Sequence, residues 1–438
     1  MSALDTFLTQ PYDYEHFKDF IIESFGSKAQ NIKTEQPHLY KAGNIIKSYA
    51  KLCEPILLES DELGIFAFET QSIDAKVTLH KELSSIIKNN ALDMSAILAV
   101  FYDKNDKENF RLSLVTQGYD YNLNKPAFSN PRRFSFTLGE NAKIKTAKEQ
   151  LQKFINTKDK SLNTLQEAFS VEPVTKEFYA KYKGLYENLS QKLSANHVAL
   201  NVLNGYEGLS ETKAINAFVK KLLGRIVFLY FLQKKGWLGV PKDMPYGSGD
   251  KGFLYTTFQK SKEKNVSFYA TYLCPLFFES LNTKHENDYS SLFESKIPFL
   301  NGGLFEAFTK QINGRKENME SSPFICEVLD NSDFEAIFDV FESYNFTIEE
   351  STPDNTEIGI DPEMLGKVFE NLIDYKSKQG LFTRHEKLCI LCVKMPSRAL
   401  YKSDTPPHRS KKRLFTILSF TLKLMILSPK ILLLLPTR

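Results

Sequence analysis

The chain has 438 residues, of which 42% are hydrophobic and 25% charged, with 35 Phe and 20 Tyr. That is the composition of a globular protein with room for two or three domains, not of a disordered or fibrous one. Five cysteines over this length exclude a disulfide-stapled secreted scaffold and point to a reducing, cytoplasmic setting, while one Trp and seven His leave little material for dedicated metal chemistry.

In chain order, the opening residues Met1 to Phe17 lack a basic segment followed by an apolar one, so no signal peptide is expected. Tyr14 to Phe25 has helical spacing, and Gly43 to Leu52 reads as a continuation of it. Ile56 to Glu59 and Gly64 to Phe68 read as two strands around the turn Ser60-Asp61-Glu62. A helix follows from Lys76 to Lys88, then the continuous apolar run Ala96 to Tyr102, suited to a central strand. Arg111 to Val115 and Arg133 to Phe136 alternate as half-buried strands do. From about Thr146 the period turns helical, over Thr164 to Phe169, Thr175 to Leu193 and Glu211 to Trp237. The last of these contains Ile226 to Leu232, apolar on every side but too short to span a bilayer, and so a buried core helix. Asp361-Pro362 has the form of an N-cap followed by proline at the first helical position.

The formal charge of +3 is unevenly spread. Residues 381–438 hold 12 Lys and Arg against two acids, Glu386 and Asp404, whereas the first 380 residues hold 44 bases against 51 acids. The body therefore has no global electrostatic signature of a nucleic-acid binder, and any phosphate-tracking patch on it must be local.

Several phrases together resemble one family, the single-chain type IIG restriction–modification enzymes built around an adenine-specific DNA methyltransferase. They are Arg111 to Leu114, Arg132 to Glu140, Glu167 to Glu172 with Thr175 to Tyr179, Leu223 to Leu238, Ile297 to Phe305, and Leu365 to Leu372. The resemblance implies an α/β nuclease-like domain over 1–155, an all-α connector over 156–355 and the start of a methyltransferase over 356–380. Double-stranded DNA is then the partner, S-adenosylmethionine the methyl donor of the intact enzyme, and a membrane is not expected.

In that family, the helix matching Leu365 to Leu372 is followed by Lys-x-x-Gly-x-Phe-Tyr-Thr-Pro. Here Gly380 is followed by Leu381-Phe382-Thr383-Arg384-His385 and the phrase fails. Codons permitted for Leu381 to Leu388, read from the third base of Gly380, spell Ala-Phe-Tyr-Thr-Pro-Arg-Glu-Ile, which restores it. Residues 381–438 are accordingly expected to be an out-of-frame tail, and the methyltransferase's Rossmann-like domain to be largely absent from this chain. An Asn-Pro-Pro-Tyr-type loop, which would hold a flipped adenine, does not occur in the text; its one Pro-Pro, Pro406-Pro407, precedes His408. The pair Cys389 and Cys392 has half-zinc-site spacing without a second half, and the Leu-rich stretch from Leu414 contains Lys423, Pro429 and Lys430, poorly suited to a membrane anchor.

For nuclease chemistry the candidates are Asp61 and Glu69, with Gln71. Restriction-type nucleases place an Asp and a Glu near neighbouring strand ends to hold Mg²⁺, with a Lys two residues after the Glu to orient water. Gln71 stands where that Lys would be, a departure that puts cleavage in question, and Asp74 and Lys76 lie nearby. The bland alternative is a turn Asp and a solvated strand-end Glu. Arg111, Arg132 and Arg133 either contact phosphate or, as the favoured reading, pair with carboxylates and pack on aromatics. Tyr246 to Asp250 only superficially resembles a cofactor loop, since it follows a helix rather than a strand, and Gly302-Gly303 reads as a tight turn. Nucleotide sequence across codons 376–390 checks the frame reading: restoring one base near Gly380 opens a long methyltransferase frame, and a closed frame there defeats it.

Overall fold

The computed structural model describes residues 2–29, 32, 40–41, 43–73, 76–89, 94–116, 119–120, 127–128, 131–140, 142–300, 304–347 and 355–360. The expectations for Leu365 to Leu372, Cys389 and Cys392, Asp74, Gly302-Gly303 and the Leu-rich tail fall outside them. The chain divides into two compact units, one of Met1–Phe178 with Asp339–Asp361 and the other including Tyr179–Phe338.

The first unit opens with α1 (Ala3–Thr9) and α2 (Tyr14–Phe25), each capped by a side chain: Ser2 accepts from the Asp5 amide and Asp13 from the Glu15 amide. Strands β1 (Tyr40–Lys41), β2 (Ile46–Lys51), β3 (Ile56–Leu58) and β4 (Asp61–Thr70) follow, then α3 (Lys76–Asn89), β5 (Ala96–Asp103), β6 (Asn109–Thr116) and β7 (Arg132–Gly139). After α4 (Lys145–Asn156), α5 (Leu162–Ala168) and the start of α6 (Glu172–Ala195), the chain later returns with β8 (Asn355–Glu357). The eight strands form one mixed sheet in the order β1-β2-β4-β5-β6-β7-β8, with β3 also on β4. Within it β4 and β5 run parallel, joined through α3, and β8 is parallel to β7; the other pairings are antiparallel.

Gly43 to Leu52, read above as helical, is instead the strand β2 with its lead-in. Its amides are already committed elsewhere: the Glu82 carboxylate on α3 accepts from Asn44, Ile45 and Ile46, and Tyr49 to Lys51 pair with Phe66 to Phe68. One sheet face packs on α3 through Phe66, Phe68, Ile97, Phe101 and Val115 against Leu79, Leu83 and Ile87. Elsewhere in the unit Phe7 stacks on Phe17 and Phe20 and tilts against Phe110 of β6. Burying each such ring is worth on the order of 2–3 kcal/mol. Gly64 and Gly139 are needed where they stand. A Cβ on Gly64 would meet the Met94 sulfur at 2.5 Å, and one on Gly139, whose φ is +113°, would meet the Glu108 carbonyl oxygen at 1.9 Å.

A boundary at 155 is expected from the sequence; the compact unit runs on to Phe178 because α4 and the end of α5 supply its core. Phe154 packs edge-on against Phe25 and Phe169 against Phe136. Asp339–Asp361, assigned above mostly to the connector, joins this unit because β8 pairs with Arg133 to Ser135.

The second unit is built on α7 (His197–Leu203), α8 (Glu211–Lys234), α9 (Phe253–Glu263), α10 (Pro323–Val328) and α11 (Asn331–Phe341), the last crossing back into the first unit. It is not all-α. A ladder joins Tyr289–Ser290 to Ser295–Lys296, and Thr309–Ile312 pairs with Arg315–Asn318 as a ribbon. The ribbon turns at Asn313-Gly314, both with positive φ, as a two-residue hairpin loop demands. In α8 every residue from Leu222 to Gln233 is buried, which explains its lack of a polar face. The helix stops at Gly236 (φ +66°): the Gly236 amide donates to Gln233 and the Trp237 amide to Leu232, a Schellman closure. Gly247 and Gly249 then donate their amides to the Gly236 carbonyl, each at 2.9 Å, so Tyr246 to Asp250 is a backbone clasp on the helix end. Among the described residues no helix is long and apolar enough to cross a membrane.

At the middle of this unit Arg225 of α8 is wholly buried. Its guanidinium donates to the Glu320 carboxylate at 2.5 Å and to the carbonyls of Leu304 and Glu306, and it lies over the rings of Phe277 and Phe278. Removing one partner strands a buried charge, so Arg225→Met is expected to cost about 3–5 kcal/mol in urea unfolding. The double substitution Arg225→Met with Glu320→Met should recover most of that loss.

Candidate functional site

Ligand sites in sheets of this kind form beyond the carboxyl ends of parallel strands. Here those ends belong to β4 and β5, side by side in register from Leu63↔Ala96 to Thr70↔Asp103. They carry Glu69, Thr70 and then Gln71 on one strand, and Tyr102 and Asp103 on the other. Glu69 is half-buried and sits opposite Tyr102 of β5 and Ser48 of β2. The Ser48 hydroxyl is buried and has no hydrogen-bond partner among the described residues. Gln71 is exposed, and its amide extends the pairing by donating to the Ile45 carbonyl at 2.9 Å. By the alternation of a strand Gln71 follows the Glu69 face.

Asp61 is not part of this group. It opens β4 while Glu69 nearly ends it, and eight residues of extended chain put them about 26 Å apart. The expected Asp61–Glu69 metal pair therefore does not form, because the two residues lie near opposite ends of one strand. The carboxylates on neighbouring strand ends are Glu69 and Asp103. They leave the sheet on opposite faces, since Glu69 pairs with Tyr102 and Thr70 with Asp103, and the Asp103 carboxylate already accepts the Asn105 amide at 2.9 Å. This donor set does not fit a Mg²⁺ ion held between two protein carboxylates. Among the described residues no three His, Cys, Asp or Glu side chains gather as a metal site.

Three side chains that the sequence pattern does not single out complete this end of the sheet. The Tyr102 ring stacks on Tyr12, centroids 4.2 Å apart, and the Lys107 ammonium lies 5.9 Å from the Tyr102 centroid. The Tyr12 amide donates to the Lys107 carbonyl at 2.8 Å, tying the loop after β5 to the segment between α1 and α2. Burial, with Glu69 second, pushes the Tyr102 phenol up to about 12, so it stays protonated. Glu69 thus has a neutral phenol beside it, and the exposed Lys107 ammonium lies near that same phenol. Nothing in the spacing of Tyr12, Tyr102 and Lys107 announces this, because the stacking of Tyr12 on Tyr102 and the long-range Tyr12–Lys107 backbone bond bring them together.

Two of the three arginines, Arg111 and Arg133, behave as buried structure. Arg111 donates to the Ile73 carbonyl at 2.8 Å and pairs with Glu357 of β8 at 3.3 Å, and Glu357 also accepts from Thr137 and Asn345. Arg133 is buried over the Phe101 ring, and its guanidinium is pushed down to about 9 by burial first and by Arg111 second. Arg132 is exposed.

No protein-family model matches the chain, and no solved structure matches it. The chain resembles a restriction–modification protein: it is 28% identical over 254 residues to the protein from Methanocaldococcus jannaschii named "Putative type II restriction enzyme and methyltransferase". The matched segment covers 53% of this chain and 19% of that protein's length. The likeness supports kinship with restriction–modification proteins at the level of the family.

The Glu82 clasp sets where β2 starts, and therefore what faces Glu69. Charge-assisted bonds to three amides make it a strong local tie. Glu82→Ala should accelerate hydrogen exchange at Asn44, Ile45 and Ile46 and lower stability by about 1.5–3 kcal/mol.

Proposed function

We propose that this chain is the N-terminal part of a type IIG restriction–modification enzyme that acts on double-stranded DNA, its sheet unit being the nuclease-like domain and its helical unit the connector to an adenine-N6 methyltransferase. The observation that carries this reading is the similarity to a restriction enzyme and methyltransferase over about half of the chain. Glu69, at the carboxyl end of the parallel β4–α3–β5 unit, supports it by standing where such a fold gathers its chemistry. S-adenosylmethionine, in this reading, belongs to the methyltransferase segment expected from residue 356 onward. Mg²⁺ would enter only with DNA, since Mg²⁺ keeps waters and takes substrate phosphates besides one or two carboxylates.

A second reading has its own observation. With Asp61 at the far end of β4, Gln71 in place of Lys and, among the described residues, no second carboxylate paired across β5 on the Glu69 face, the chain is a non-catalytic remnant that at most binds DNA or a partner protein. Nicking of supercoiled plasmid with and without Mg²⁺ separates the two. In the enzyme reading the wild-type chain nicks only with Mg²⁺. Glu69→Gln then abolishes the Mg²⁺-dependent nicking, because the carboxylate that would hold the ion with the substrate phosphates is lost, and Asp61→Asn leaves it unchanged. No Mg²⁺-dependent nicking by the wild-type chain would leave the non-cutting reading in place.

A further inference from the structure

The ribbon Thr309–Ile312 with Arg315–Asn318 contributes little to the core of its unit. Gln311 to Glu317 are seven consecutive exposed residues. Yet its stems are fastened on the most deeply buried ion pair described. Glu320, just past the ribbon, takes the Arg225 guanidinium and also accepts the Phe308 amide at 2.8 Å, just before it. The Met319 amide donates to the Phe308 carbonyl at 2.8 Å and closes the base. Asn318 caps the following turn by accepting from Glu320. A fully buried charge pair is a costly way to hold a surface loop, so the orientation of this ribbon is itself specified.

Its charged side chains are mostly basic. Lys310, Arg315 and Lys316 are opposed by a single acid, Glu317, and no ion pair is described for Arg315 or Lys316. The register pairs Gln311 with Lys316 on one face and Ile312 with Arg315 on the other. Each face therefore carries a cation, the disposition of an element lodged between two walls of phosphate, not one laid flat on a charged surface. A two-stranded ribbon is of a width that a DNA major groove admits, and side-chain amides such as Gln311 and Asn313 are able to meet base edges there. The body of the chain is net acidic, so this local patch is a place where phosphate attraction can act.

We propose that the ribbon turning at Asn313-Gly314 is a docking element for duplex DNA, with Arg315 and Lys316 meeting phosphates on either side of a groove. This rests on the DNA reading above and adds the surface that engages the duplex. Fluorescence anisotropy of a labelled 30-base-pair duplex, titrated with the full chain over a series of salt concentrations, tests it. Arg315→Ala with Lys316→Ala should weaken binding and flatten the plot of log K against log salt by about 0.9 for each phosphate no longer neutralised, roughly 1.8 in all. An unchanged melting temperature would show that the doubly substituted chain still folds, as expected for two exposed residues. Wild-type binding with the same affinity and slope in the variant overturns the ribbon proposal while leaving DNA binding intact. Absence of duplex binding by the wild-type chain overturns both.

Discussion

A guanidinium taken entirely out of water has to be answered where it lies, and that requirement organises the helical unit. Arg225 reaches the middle of α8 on a stretch of side chains buried on all sides, so it has no path to solvent. The Glu320 carboxylate and the carbonyls of Leu304 and Glu306 must come to it. Bringing them fixes the course of the chain from Leu304 to Glu320, and with it the base of the ribbon. The aromatic faces of Phe277 and Phe278 close over the guanidinium and draw in the π-helical turn Leu276–Ser280. The Tyr269 hydroxyl donates to the Glu320 carbonyl and ties in the preceding turn, Tyr269–Leu273. One charge therefore specifies the positions of segments up to 95 residues away in sequence. Leucines of equal volume would bury as well but would not choose among registers; burying a charge trades stability for that choice.

The sheet unit repeats the device at its edge. Arg111 sits in the middle strand run, and its carboxylate partner Glu357 arrives only when the chain comes back as β8. The pairing explains why so short a strand, three residues long, is retained on the sheet. It also explains why Arg111 and Arg133 are poor candidates for phosphate contacts. A guanidinium already shared between a backbone carbonyl and a buried carboxylate, or packed on Phe101, has little left to offer a ligand.

Much of this architecture is legible in the residues. The apolar run Ala96 to Tyr102 has to be a central strand, since nothing in it tolerates an exposed face, and the unbroken apolar girth of Ile226 to Leu232 has to be a buried helix. Asn313-Gly314 between short polar runs is a hairpin signal, but a weak one because the ribbon has no apolar face. The lead-in to β2 misleads for a different reason. Its spacing is compatible with a helix, and what decides for a strand is the Glu82 carboxylate 36 to 38 residues further on, a long-range partner that no local pattern contains.

The same distinction governs the candidate site. The place of Glu69 near a strand end is readable because a Glu following an apolar run is a local feature. Asp61 is misleading because proximity in sequence stands in poorly for proximity in space along a strand, where every residue adds about 3.3 Å. The true neighbours of Glu69 are set by registers: Ser48 across an irregular antiparallel pairing, Tyr102 across a parallel one made possible by α3, and Tyr12 by stacking on Tyr102. Parallel registers depend on the length of the crossover and on which helix face is apolar, so they emerge only once α3 has packed through Leu79, Leu83 and Ile87. The site is thus a consequence of the core beneath it. Among the described residues it offers one half-buried carboxylate, a protonated phenol and a hydroxyl without a hydrogen-bond partner, to which a substrate would bring phosphates of its own.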